Sequence, residues 1–473
     1  MKQLRRIGML LCLAAALALL LLPFQPVRAE ASASLPERKT PAWAKTAIVY
    51  EVNVRQYTPE GTFRAFEKHL GELRDMGVNT LWFMPIHPIS EVRRIGPLGS
   101  YYSIADYRAV NPEFGSAEDF RALVESAHAM GFHVMMDWVA NHTGWDNVWI
   151  QDHPHWYTWN EYDEIISPVG MGWDDVADLN YDEPEMRAEM IDCMKYWVTE
   201  FDVDGFRCDF ANGVPTDFWE QARAELEREK PLLMLAEHSK LSSLLNYAFD
   251  MNYNWELYDA LLAVARGVKK ANVLQYYVPE NYPEGTYTLN FLDNHDKNSY
   301  EHTVADAFKP EILPAMFTMI HLLPGTPLIY TGDEIGYVHA IAFFERDPVR
   351  WDNGTGDFRP LLRALSDLRT TIPALWSGSA GAKPEYFTQQ SKNIFAMRRA
   401  SSDGGVVLLT NLFKREQTAD VSAFLQGGEK VLLHGGPDLL EKSDAFPEGS
   451  PLRGEVTLQP WEFWILSVPA PAP

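Results

Sequence analysis

Residues 205–210 read Gly-Phe-Arg-Cys-Asp-Phe. Alternate side chains of a strand share a face, so Arg207 and Asp209 point one way, and Phe206 and Cys208 point the other, into an apolar layer. A carboxylate beside a guanidinium stays ionised, which suits a nucleophile. Further along, the apolar run Leu-Leu-Met-Leu-Ala ends in Glu237. Two carboxylates on the ends of nearby strands are the groups that cleavage of a glycosidic bond requires.

Such groups need a rigid frame. From about residue 47 to 375 strand-like and helix-like stretches alternate. Strands are expected at Ile48–Tyr57, Thr80–Pro85, His133–Trp138, Gly205–Phe210, Leu232–His238, Phe249–Trp255, Tyr287–Asp296 and Pro327–Glu334. Phe63, Phe66, Leu70 and Leu73 mark one intervening helix. Ser116 and Asp119 form a capping box for another, which Gly131 closes. Eight such units give an α/β fold, a (β/α)8 TIM barrel whose site lies at the strand C-terminal ends.

The interval 143–183 holds five tryptophans and few helix signals, and reads as an inserted domain over the barrel mouth. After residue 376 the pattern changes. Asn393–Ser401 and Val406–Leu412 flank Asp403-Gly404-Gly405, a hairpin signal, and further strands are expected at Glu429–His434 and Glu455–Val468. The expected organisation is a signal peptide (1–29), a linker (30–46), a barrel (47–142 and 184–376), the insertion (143–183) and a C-terminal antiparallel β-domain (380–470).

Lys2, Arg5 and Arg6 precede an uncharged run from Ile7 to Phe24, and Val27-Arg28-Ala29 follows with small residues suited to cleavage. This is the pattern of a secretory signal, so the mature chain is expected to be extracellular and free of the membrane. An uncleaved anchor is the alternative. The formal charge of −24 disfavours nucleic acid and anionic membranes as partners. Beyond residue 29 only Cys193 and Cys208 remain, with neither a disulfide framework nor metal-ligand spacing. The 15 Trp and 20 Tyr supply flat faces that suit sugar rings as well as packing. Nothing in the chain sets an oligomeric state.

Four segments carry the chemistry: Asp137-Trp-Val-Ala-Asn141-His142, Gly205–Phe210, Leu232–Glu237 and Phe291-Leu-Asp-Asn294-His295-Asp296. In order and spacing they resemble the signature segments of the α-amylase superfamily, glycoside hydrolase family thirteen. Gly77–Pro85 and Gly325–Glu334 resemble that family's second- and eighth-strand segments. The resemblance implies a retaining hydrolase of α-1,4-linked glucans with no cofactor for catalysis. It makes Asp209 the nucleophile, Glu237 the general acid and base, and Asp296 the transition-state stabiliser. Arg207 would fix Asp209, His142 and His295 would bond sugar hydroxyls, and Tyr102 would stack beneath the sugar. Asp137 has a structural reading, as a support for Arg207, and so do Asp333 and Glu334. Asn141 and Asp178 match two ligand positions of a structural Ca²⁺ found in many members. Asn212-Gly213 stand where the family often has Lys-His, which removes a sugar contact on the leaving-group side. The alternatives are a cyclomaltodextrinase or 4-α-glucanotransferase acting on short maltodextrins and, more remotely, a non-catalytic glucan-binding protein.

Overall fold

A computed structural model describes residues 38–470 except 280, 423, 426–428 and 438–453. The expected signal peptide lies outside the described residues. In chain order the first ten strands are β1 (Val49–Val52), β2 (Thr80–Phe83), β3 (His133–Val139), β4 (His142–Gly144), β5 (Val176–Asp178), β6 (Gly205–Asp209), β7 (Leu233–Ser239), β8 (Met251–Tyr253), β9 (Tyr287–Asn290) and β10 (Thr326–Tyr330). Eight of them close a parallel barrel in the order β1-β10-β9-β8-β7-β6-β3-β2. Their β-branched and aliphatic residues are buried from both sides, as a parallel sheet covered by helices requires. Because every strand runs the same way, the polar residues at their C-terminal ends converge on one mouth.

Several expected strands are shorter, β10 among them, which ends at Tyr330 before the 3₁₀ turn Asp333–Ile335, and in three the reason is a cap. β1 stops at Val52, because Asn53 sits at the N-cap of a helical turn, Val54–Tyr57. β9 stops at Asn290, and a helix runs from His295 to Tyr300 with the Asn294 side chain accepting from the Lys297 N–H. β8 spans only Met251–Tyr253, and Asn254 caps the helix Trp255–Ala265. The capping box of Ser116 and Asp119 is formed on both sides and opens the helix Ala117–Ala129.

Between β3 and the helix Pro184–Phe201, β4 and β5 pair antiparallel, with His142 opposite Asp178. The later strands are β11 (Glu385–Tyr386), β12 (Ile394–Ser401), β13 (Gly404–Asn411), β14 (Gln417–Asp420), β15 (Val431–Gly435), β16 (Glu455–Leu458) and β17 (Phe463–Val468). They form a five-stranded antiparallel sheet, β11-β12-β13-β17-β15, and a two-stranded one, β14-β16. Glu455–Val468, expected as one strand, is broken in two by the turn before Phe463, where Trp461 takes a left-handed φ of 60°.

One buried arginine joins this sheet to the barrel, and a second ties together the barrel segments beneath it. Arg399 of β12 donates to the carbonyls of Leu322, Trp376 and Ala382 at 3.0–3.1 Å. Arg369 donates to the carbonyls of His321 and Leu375 at 3.1 and 2.9 Å, and also to that of Gly325. Among the described residues neither has a carboxylate within ion-pair distance. Burial, joined for Arg369 by its charged neighbour Arg399, lowers their pKa values to about 9 and about 10, so both stay charged at neutral pH. Cys193 and Cys208 are free and buried, and burial raises both thiols.

Candidate active site

Strand register builds the site. β3 and β6 pair with Asp137 beside Arg207, and β6 and β7 pair through Cys208 and Ala236, so Asp209 and Glu237 follow side by side. The β7–β8 register slips between Ala236 and Ser239, a bulge that re-aims side chains at the strand end.

Arg207 is fully buried and touches three carboxylates. Its Nη1 donates to Asp137 Oδ1 at 3.0 Å and to Asp209 Oδ1 at 2.9 Å. Its Nη2 lies 3.0 Å from Glu237 Oε1, an ion-pair contact off the donor direction. Nε donates to the Tyr253 hydroxyl at 3.2 Å. Asp137 also accepts from Trp82 Nε1 and the Tyr102 hydroxyl, both at 3.1 Å, and is wholly buried, so it serves as the support for Arg207. Glu237 Oε2 accepts the Phe210 backbone N–H at 2.7 Å. Phe210 holds a left-handed backbone, φ 40°, which is costly for a bulky residue and turns that N–H toward Glu237.

The guanidinium does not win at Asp209. Burial, then the Glu237 charge, push the Asp209 carboxyl well above its usual range, against the pull of Arg207. Burial and the neighbouring Glu237 thus oppose the ionisation of Asp209 that Arg207 favours.

The mouth is a cavity of about 290 Å³ lined by Tyr102, His142, Asp209, Glu237, His295 and Asp296. Its walls are aromatic and aliphatic: Trp173 and Phe210 meet edge to face at 5.2 Å between centroids, and Tyr300, Phe343 and Ile95 lie beyond. Asp296 is partly open, its side chain 41% exposed. A straight strand would have aimed His295 and Asp296 apart. The helix that begins at His295 puts both on the cavity, with His295 Nε2 3.4 Å from Asp296 Oδ1.

The two histidines differ. Burial lowers His142 to about 4, so it is neutral. The Asn141 amide donates to its Nδ1 at 3.3 Å, which leaves Nε2 to carry the proton. His295 is raised to about 9: burial opposes the charge, but Asp296 and Glu51 together outweigh it. Glu51 Oε1 lies 2.5 Å from His295 Nδ1, and the Tyr102 hydroxyl lies 2.8 Å from Nε2. Tyr102 and His295 stack at 5.3 Å.

Glu51, Trp82, Tyr253 and Trp173 were not singled out from the sequence. Glu51 had a signal, an acid inside the apolar run Ala47–Val52. Asp333 and Glu334 point away from the chemistry: Asp333 accepts from the Tyr330 N–H, and Glu334 accepts from the Tyr50 hydroxyl and the Gly332 N–H.

Asn141 and Asp178 flank the β4–β5 pairing, and the Leu179 N–H donates to the Asn141 carbonyl at 3.3 Å. Asn141 presents its amide oxygen toward Gly213, while the Asp178 carboxylate lies against the Thr158 side chain. Calcium takes about six to eight oxygens. Among the described residues no group of three or more His, Cys, Asp or Glu could hold a metal ion. These two side chains would supply two of those oxygens.

Comparison with known proteins supplies the context. The family profile described as alpha amylase, catalytic domain, matches residues 52–164 and 156–357 in two overlapping segments. α-Amylase MalA of Haloarcula japonica is 26% identical over 409 residues, which cover 83% of this chain but only 59% of that protein. A cyclomaltodextrinase of Geobacillus thermopakistaniensis is 29% identical over 400 residues, 79% of this chain and 66% of its own length. The crystal structure of an α-amylase from Lactobacillus plantarum superposes with a TM-score of 0.78 at 29% identity, covering 90% of this chain and 99% of that one.

Proposed function

The chain belongs to the α-amylase family, and from that premise we propose that it is a secreted, retaining glycoside hydrolase cleaving α-1,4-glucosidic bonds in starch-like glucans or maltooligosaccharides. One observation carries the reading: Asp209 and Glu237 are held 2.9 and 3.0 Å from the two ends of a single buried guanidinium, facing the cavity that Asp296 also lines. In this reading the two acids flank one sugar linkage, and a separation of about 5 Å is the one that goes with retention.

In this reading Asp209 attacks the anomeric carbon and forms a glycosyl-enzyme bond, while Glu237 gives a proton to the departing oxygen. Glu237 then takes a proton from the water that releases the sugar. Asp296 faces the positive charge that develops at the ring, and the imidazolium of His295 and the neutral Nε2–H of His142 donate to hydroxyls. Tyr102 lies under the sugar. No cofactor is required. Secretion rests on the charged and apolar pattern of residues 1–29.

A second reading is action on cyclic or short maltodextrins, by hydrolysis or by glucanotransfer. The likeness to a cyclomaltodextrinase favours it, as do the aromatic walls of the cavity. Reducing-sugar release from soluble starch, with products followed on maltoheptaose and the anomer of the first product read by NMR, separates the readings. The α-anomer is expected from the wild-type chain. Asp209→Asn should lower turnover by on the order of 10³-fold or more with an unchanged thermal midpoint. Near-normal turnover in that variant, or release of the β-anomer, would falsify the assignment.

A further inference from the structure

The catalytic cavity has two unlike ends. At one, Glu237 accepts the Phe210 N–H and the Phe210 ring meets Trp173. The sugar that leaves with the proton of Glu237 departs on that side. At the other, Phe343 lies parallel to the Tyr102 ring at 6.2 Å between centroids, and Tyr300 follows Phe343 at 5.4 Å. Ile95 and Phe344 line this end too. The sugar whose anomeric carbon is attacked carries the non-reducing part of the chain, and that part must lie here, beyond Tyr102.

Two loops are joined across this end. The barrel neighbours of β1 are β2 and β10, and the short turn Val54–Tyr57 follows β1 directly, so the loops after β2 and β10 meet beside that turn. The Leu98 N–H donates to the Phe344 carbonyl at 2.9 Å. Gly96, at φ 67°, has no room for a side chain: a Cβ would sit 2.6 Å from the Phe344 Cβ. Arg55, in the turn and fully buried, fastens both loops at once. Its Nη1 donates to the Gly99 and Phe343 carbonyls at 3.4 Å, and its Nη2 to the Leu98 carbonyl at 3.5 Å and to Glu113 at 2.9 Å. Gln56 donates to the Ala342 and Glu345 carbonyls at 3.1 and 2.7 Å. Sugars running out between these loops would have to part a backbone hydrogen bond and strip carbonyls from a buried guanidinium, which costs more than a loose loop would. The cavity volume, about 290 Å³, is at the small end for ligand sites.

We propose that this joined wall determines the specificity of the site: it stops the glucan after about one or two sugars on the non-reducing side, so the enzyme takes chain ends and releases short products rather than cutting inside the polymer. Ile95 and Phe344 set the limit, because their side chains line the cavity where the two loops meet. The proposal rests on the α-glucan reading above and deepens it, and the two can fail separately.

The test uses the full chain and two substrates, maltoheptaose and maltoheptaose whose non-reducing glucose carries a 4,6-ethylidene cap, with products followed by chromatography. The wild-type chain should shorten the free heptaose from its non-reducing end and cut the capped one at least roughly 100-fold more slowly, because the cap meets the wall. Ile95→Ala combined with Phe344→Ala should raise kcat/KM on the capped chain by roughly 10-fold or more. Ile95→Ala alone, at a position 43% exposed, gives the same reading with a smaller gain should the pair not fold. Equal cleavage of both substrates by the wild-type chain overturns the proposal. So does a variant that still cuts the free heptaose and gains nothing on the capped one. Failure of the α-glucan reading looks different: the wild-type chain would leave both heptaoses whole.

Discussion

His142 and His295 both face the catalytic cavity, yet one is neutral and the other charged, and the difference lies in two carboxylates. His142 meets the Asn141 amide and the Trp173 ring, whereas His295 lies beside Asp296 through Nε2 and is paired through Nδ1 with Glu51. Asp137, Arg207 and Tyr102 complete its surroundings. The pH profile follows. Asp209 is raised by burial and by Glu237, so the acid limb of kcat/KM should lie above the usual carboxylate range, where protonation stops the attack. His295 keeps its proton up to about 9, so its ring should stay charged across neutral pH. Stability bound up with that proton is fully present below about 6.5 and is lost as pH rises through about 9. Glu51→Gln keeps the shape and removes the charge, and should move the His295 titration to lower pH. An imidazole NMR titration that stays in place would show that Glu51 does not govern it.

At the scale of elements, β6 and β7 position the two proposed catalytic acids, and Gly205 lets them approach. A Cβ at residue 205 would sit 2.2 Å from the Leu233 carbonyl oxygen, a clash with backbone that has nowhere to go. Gly205→Ala should therefore cost about 1–3 kcal/mol in chemical denaturation, and activity should fall because the strands carrying Asp209 and Glu237 are forced apart. A wild-type denaturation midpoint would refute the close-packing argument. These elements were readable from the chain because each catalytic group sits in a short apolar run whose period is local. Glu51 was not, because its partner lies 244 residues away and only barrel closure brings β1 near the helix that follows β9. The side-by-side aim of His295 and Asp296 was equally hidden, since it depends on a helix starting where alternation suggested a strand. Trp173 escaped notice as one of five tryptophans in an irregular segment, where spacing carries no period.

Across the whole molecule, the guanidinium of Arg399 reaches from β12 into the barrel and satisfies carbonyls on three separate segments. Arg399→Met keeps the length of the side chain but leaves those carbonyls buried without a donor, a loss of about 1–3 kcal/mol for each that water cannot reach. A lowered thermal midpoint with one cooperative transition is expected by calorimetry. Two resolved transitions would mean that barrel and sheet melt independently. The same contact bears on how such a chain can be re-engineered or recombined over evolution. A tail grafted from a relative would have to deliver an arginine to the same carbonyls, so the carboxy-terminal sheet is not an exchangeable cassette, and hybrids joined near residue 380 would inherit a hole where Arg399 had been.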